Sequence, residues 1–152
     1  MGLRDRLGEG LKEAMRDRQA VRLSTLRLIS AAIKDRDIAL RAEGREDGAS
    51  DEEIMGILAK MVKQRQESAR AYEEGARLEL AEGELAEIKV IEEFLPKQLT
   101  PEETAKAVED AISSTGANSI RDMGKVMGEL KSRFAGRMDF GSVGSMVKAK
   151  LA

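Results

Sequence analysis

Near its C-terminal end the chain reads Met123-Gly124-Lys125-Val126-Met127-Gly128-Glu129-Leu130-Lys131, followed by Phe134-Ala135-Gly136-Arg137. Projected at about 100° per residue, Ile120, Met123, Val126, Met127, Leu130 and Phe134 fall on one side of a helix, whereas Arg121, Gly124, Lys125, Gly128 and Lys131 fall within the opposite third. A glycine inside a helix costs roughly 1 kcal/mol relative to alanine. A solvated polar face gives no packing reason to accept that cost, so the pattern points to something that approaches the backbone closely between cations. A phosphate chain has the size and the charge. The nucleotide-binding phosphate loop is excluded by spacing, since it needs Gly and then Ser or Thr where this chain has Ser119 and Val126.

Other residues invite chemical readings that plainer ones outweigh. Glu79, Glu82, Glu84 and Glu87 resemble an acid/base or metal cluster, but they lie beside Leu78, Leu85 and Ile88 with no histidine ligand, and read as a solvated helix face. Met123, Met127, Met138 and Met146 read as core filler rather than a pliable groove. Arg65 projects onto the same side as Ile54, Leu58, Met61 and Tyr72, so it should be partly buried and needs an acceptor. A structural bond to a carboxylate, or to helix-end carbonyls near Glu74-Gly75, is expected; the alternative presents Arg65 to a substrate. Lys60, Lys63 and Arg70 lie on the opposite side, as surface cations or as secondary contacts to an anionic partner.

Composition narrows the function classes. The chain has 152 residues, 36% charged and only 3% aromatic, with neither histidine nor cysteine. Disulfides, thiol nucleophiles, histidine bases, Ser-His triads and Cys/His zinc sites are therefore excluded, and nothing calls for a metal or a cofactor. The wealth of Ala, Leu, Glu, Lys and Arg favours an all-α fold. The first residues lack an apolar run of signal-peptide length and no run approaches the ~20 residues of a membrane span; a cytoplasmic protein without membrane association is expected. Residues 116–152 hold seven Lys/Arg against three Asp/Glu, a locally basic tail in a chain of net charge −2.

The elements that would carry these residues are marked by their punctuation. Leu3, Leu7, Leu11 and Met15 recur at helical spacing, and a second, strongly apolar helix runs from Val21 to about Leu40. The loop Gly44-Arg45-Glu46-Asp47-Gly48 ends it. Ser50 and Glu53 form a capping box for a third helix reaching Glu74. After Gly75, Leu78 to Phe94 makes a fourth, with Leu85, Ile88, Ile91 and Leu95 directed at the preceding pair. Pro96 stops that helix; Thr100 caps the next, Pro101 takes its first position and Glu103 completes a second capping box. Three short helices follow, over 101–114, 120–134 and 139–151. The expected architecture is a four-helix N-terminal body over 1–95, a linker over 96–100 and a three-helix tail domain over 101–152.

Lys12-Glu13-Ala14-Met15, Arg22-Leu23-Ser24-Thr25-Leu26-Arg27, Ala31-Ala32-Ile33-Lys34, Lys63-Gln64-Arg65-Gln66-Glu67-Ser68, Phe94-Leu95-Pro96-Lys97-Gln98-Leu99 and the Met123–Gly128 block together resemble the GatB/YqeY family, in order and across nearly the whole chain. The free-standing YqeY-like proteins are the nearest resemblance; they are similar to the C-terminal region of the B subunit of the aspartyl/glutamyl-tRNA amidotransferase. That resemblance implies a helical body with a small three-helix tail implicated in gripping tRNA. It places Gly124, Lys125, Gly128, Lys131, Gly136 and Arg137 in a glycine-and-basic block on an RNA backbone, which Arg121 joins by projection and Lys60, Lys63 and Arg70 support as secondary contacts. Two positions depart from the family pattern: Gln19 replaces an acidic residue, and Met138-Asp139-Phe140 replaces an Asp-Gly turn, so that Asp139 caps the last helix and Phe140 enters the core.

These readings lead to a non-catalytic accessory protein that binds tRNA or another structured RNA, together with a tRNA-processing or aminoacylation enzyme. With so few aromatic platforms, recognition would rest on shape and phosphates rather than on stacked bases. A helical protein-interaction module is the alternative, in which Gly124 and Gly128 admit a partner's helix or the chain's own last helix, carrying Gly141 and Gly144. The family also carries a carbon–nitrogen ligase label with glutamine as amide donor. That chemistry needs an ammonia-generating nucleophile and an acyl-activating ATP site, and neither is visible in these residues.

Overall fold

The apolar stripes and the two capping boxes resolve into an all-helical architecture. A computed structural model describes residues 2–152 and contains seven α-helices and a short 3₁₀ turn, with no strand among the described residues. The chain divides into two compact units, Met1–Pro96 and Lys97–Ala152.

The first unit holds α1 (Leu3–Arg16), α2 (Ala20–Ala42), α3 (Asp51–Glu74) and α4 (Leu78–Glu92). Its core is built from Leu3, Leu7, Ala14, Leu26, Ile29, Ile33, Leu40, Ile54, Leu58, Ile88, Ile91 and Phe94. The Ser50 hydroxyl accepts from the Glu53 amide (3.2 Å) and the Glu53 carboxylate accepts from the Ser50 amide (3.2 Å), so α3 starts where its capping box stands. The apolar stripes are less regular than their projection. Ala14 takes the buried position and Met15 faces out; Leu85, expected to pack inward, is exposed, and Tyr72 is only half-buried. Helix α4 ends at Glu92, where the hydrogen bonding tightens: the Glu93, Phe94 and Leu95 amides donate three residues back, to the Val90, Ile91 and Glu92 carbonyls (3.3, 3.0 and 3.2 Å), and Phe94 is buried. At the α3–α4 turn, Gly75 keeps an ordinary φ of −84° and Ala76 takes the left-handed φ of 58°.

The second unit holds α5 (Pro101–Thr115), the 3₁₀ turn Ile120–Asp122, α6 (Met123–Phe134) and α7 (Phe140–Leu151). Val108, Ala111, Val126, Leu130, Met138, Val143, Val147 and Leu151 form its core, with Met123, Met127, Phe140 and Met146 packed at the margin. Thr100 caps α5 through a reciprocal box with Glu103, at 3.1 Å each way, and Pro101 opens the helix. Residues 97–99, read from the sequence as part of a linker, are hydrogen-bonded into this unit. Leu99 N–H donates to the Arg137 carbonyl (3.0 Å), Gln98 donates to the Gly136 carbonyl, and Arg137 Nε donates to the Lys97 carbonyl (3.0 Å).

Candidate nucleic-acid interface

Helix α6 buries Val126 and Leu130 completely and turns Gly124, Lys125, Gly128 and Lys131 outward. A Cβ placed on Gly124 or on Gly128 meets nothing within 4 Å. The glycines are therefore not there to admit another part of the described chain. The close approach of the last helix occurs on the other side, where a Cβ at Gly144 would lie 3.7 Å from Met123 Cε and 3.8 Å from Met127 Cε, an ordinary contact. The alternative in which the chain's own last helix covers the glycine face therefore does not hold. Its apolar stripe follows the methionines, which take the core-filling place expected of them.

The charges on this face lack ion-pair partners among the described residues: Arg121, Lys125 and Lys131 make no salt bridge, whereas the neighbouring Arg133 pairs with Glu129 at 3.5 Å. Arg121 is exposed but lies in the 3₁₀ turn ahead of α6, so the α-helical projection that aligned it with Lys125 does not apply to it. Ile120, projected onto the apolar side, is exposed for the same reason. Gly136 and Arg137 belong to a different arrangement. Gly136 has φ 75°, and Arg137, half-buried, holds the Lys97 carbonyl and lies 5.8 Å over the Phe134 ring. Their geometry accounts for both residue types without a ligand, since the αL turn favours glycine and the guanidinium closes the loop onto residues 97–99. Asp139 caps α7, accepting from the Gly141 amide (3.1 Å) and the Ser142 hydroxyl (2.9 Å). An open cavity of 290 Å³ lies nearby, lined mainly by Leu99, Pro101, Met138, Val143 and Met146.

In the first unit, Lys60, Lys63 and Arg70 are exposed on α3. Arg65 is not. Its Nε donates to Glu87 Oε2 (2.9 Å) and its NH1 to the Met61 carbonyl (3.2 Å). The acceptor is thus a carboxylate on α4 rather than the turn at Glu74-Gly75, and Glu87 leaves the solvated face assigned to it because α4 rotates that position toward α3.

Two clusters escaped the sequence reading. Arg4 grips Asp37 with both terminal guanidinium nitrogens (2.9 and 3.0 Å) and donates to the Ala49 carbonyl (3.1 Å), while the Ala49 amide donates to Asp37 (2.8 Å). This arrangement holds the Asp37 carboxyl down at about 2, chiefly through Arg4 and then through the Ala49 amide. Arg6 and Arg22 lie over the Phe94 ring at 5.7 and 5.8 Å, Arg22 pairs with Glu93, and a Cβ on Gly10 would come within 3.1 Å of Phe94. Gly10, inside an otherwise helical run, was the one local signal of that contact.

A family model described as Yqey-like protein matches residues 4–151. The chain belongs to the YqeY-like family. Among curated proteins it is similar to two described as altered inheritance of mitochondria protein 41, mitochondrial. One, from Meyerozyma guilliermondii, is 35% identical over 108 residues, 70% of this chain and 52% of that protein. The other, from Clavispora lusitaniae, is 36% identical over 86 residues, 56% of this chain and 46% of that protein. The match thus spans about half the length of these relatives. Their names overturn the expectation of a plain cytoplasmic address, since both are described as mitochondrial. No helix of the described residues is long and apolar enough to cross a membrane.

Proposed function

We propose that the outer face of α6 is a docking surface for the phosphate backbone of a structured RNA, tRNA being the occupant that the family resemblance suggests. One observation carries this reading: exposed Lys125 and Lys131, without ion-pair partners among the described residues, alternate along α6 with two glycines whose Cβ positions open onto empty space. A phosphate chain gains from cations that need not be stripped from another partner, and the missing side chains let it reach the helix surface. Arg121 extends the positive field from the preceding turn, while Lys60, Lys63 and Arg70 are exposed cations of the other unit. Gly136 and Arg137 shape the loop that follows α6, and Arg137 adds its positive charge.

The test is a titration of the full chain with tRNA across a range of salt. Lys125→Glu and Lys131→Glu each weaken binding and lower the salt slope by about 1 for every phosphate no longer neutralised, while thermal stability is unchanged because both sites are exposed. Equal affinity for wild type and both variants would overturn the proposal. Capture of an RNA-free protein through this same face would favour the interaction-module reading instead.

A further inference from the structure

The open cavity of 290 Å³ beside the α6–α7 loop lies wholly within the second unit. Leu99, Pro101, Met138, Val143 and Met146 supply its apolar wall, with Met138 and Val143 buried and Met146 half-buried. Its volume is at the small end for ligand pockets, which suits one aliphatic side chain and a polar end rather than a nucleotide or a cofactor. Arg137 lines the same cavity. Its hold on the Lys97 carbonyl uses Nε alone, and no carboxylate pairs with its guanidinium among the described residues. The terminal nitrogens therefore keep the forked N–H geometry that matches a carboxylate.

Two anions stand close, and both are committed elsewhere. Asp139, also in the wall, accepts from the Gly141 amide (3.1 Å) with one oxygen and from the Ser142 hydroxyl (2.9 Å) with the other, at the start of α7 where the helix dipole offsets its charge. Glu103, which feels both Lys97 and Arg137, accepts from the Thr100 amide (3.1 Å) at the head of α5. The Thr104 hydroxyl lines the cavity as well and has no hydrogen-bond partner among the described residues. An apolar wall, a guanidinium with free N–H groups and an unused hydroxyl thus share one small space.

We infer that this cavity captures the C-terminal residue of a partner polypeptide that ends in an aliphatic side chain. The terminal carboxylate pairs with Arg137, the side chain lies against Met138, Val143 and Met146, and the residue's own amide donates to the Thr104 hydroxyl. Capture of a chain-terminal carboxylate is a recurring mode of peptide recognition, and methionines adapt to aliphatic groups of differing shape. Other occupants answer fewer of these features. A free amino acid brings an ammonium group, for which the wall holds only the committed Asp139. A free fatty acid leaves Thr104 unused. A phosphate gains nothing from the apolar wall, and a nucleobase finds no aromatic ring in it to stack on.

The methyl signals of Met138 and Met146, read by NMR in the full chain with isotope-labelled methionine, test this against a short acetylated peptide ending in leucine. The free-acid peptide is expected to move both signals saturably, whereas the same peptide amidated at its C-terminus, or ending in aspartate, moves neither. Arg137→Gln weakens binding by roughly tenfold or more. Because Arg137 also closes the loop, Thr104→Val and Met146→Gln are measured beside it, each weakening binding by roughly fivefold, with circular dichroism confirming the helicity of every variant. Equal shifts with the amidated peptide would overturn the inference, and so would signals unmoved at millimolar peptide, moved as strongly by hexanoate, or indifferent to all three substitutions. Thr104 and Met146 lie off the α6 face, so tRNA titrations of those two variants report separately on the proposed function.

Discussion

At Ala76 a side chain occupies a backbone conformation that only glycine adopts without cost. Its φ of 58° places it at the left-handed end of α3, while Gly75, one residue earlier, keeps an ordinary helical φ. Ala76→Gly should therefore raise stability by about 0.5–1 kcal/mol, measured by urea unfolding, despite the added freedom of the unfolded chain. Gly48 is the reverse case. Its φ is 77° and a Cβ there would lie 2.5 Å from Asp37 Oδ1, so Gly48→Ala should cost about 1–3 kcal/mol through strain and displacement of the Arg4–Asp37 pair. The same carboxylate governs acid sensitivity. Asp37 is held at about 2, and Glu53, bonded to Arg45 and the Ser50 amide, also at about 2. Both values are depressed, so their contribution is present in full above about pH 4.5 and is lost as pH falls toward 2. In thermal melts recorded against pH, Asp37→Asn should flatten the decline across that window.

Helix boundaries written in neighbouring residues were legible: Ser50 with Glu53, Thr100 with Pro101 and Glu103, and Asp139 all act within three residues of themselves. Burial was legible only in part, since a projection gives a direction on a helix without showing where the neighbouring helices lie. Leu85 and Ile120 were assigned inward on that basis and face solvent. Long-range partners were not legible at all. Nothing near Arg65 names Glu87, 22 positions away, and nothing near Arg4 names Asp37, 33 positions away. The outward position of the α6 glycines followed from their projection, whereas the left-handed turn that Gly136 makes depends on residues 97–99, some 38 positions away, and no neighbouring residue announces it. The α3–α4 link offers a test: Glu87→Ala leaves a guanidinium 14% exposed without its carboxylate and should cost about 1–3 kcal/mol in chemical unfolding, whereas Glu84→Ala on the same helix should cost little.

Across the whole molecule, the two units carry separate buried clusters, one around Leu26, Leu58 and Ile91, the other around Val108, Val126 and Leu130. Leu130→Ala, at a fully buried site, should cost about 2–5 kcal/mol in the second cluster. The single tyrosine, Tyr72, belongs to the first unit, so tyrosine fluorescence should be nearly blind to that substitution while helical ellipticity detects it. Equal shifts by both probes would show that the two clusters melt as one.

The α3–α4 hairpin also sets a clock. These helices make the most extensive helix–helix contact in the chain and are joined by only three residues, Gly75–Arg77. Helix α1 reaches α3 across a far longer separation, its Leu3 amide bonding Asp51 48 positions away. Closing a short loop forfeits little entropy and a long one more. The middle of the first unit is therefore expected to organise before its beginning: substitutions at Leu58 or Ile91 should slow refolding, and those at Arg4 should mainly hasten unfolding.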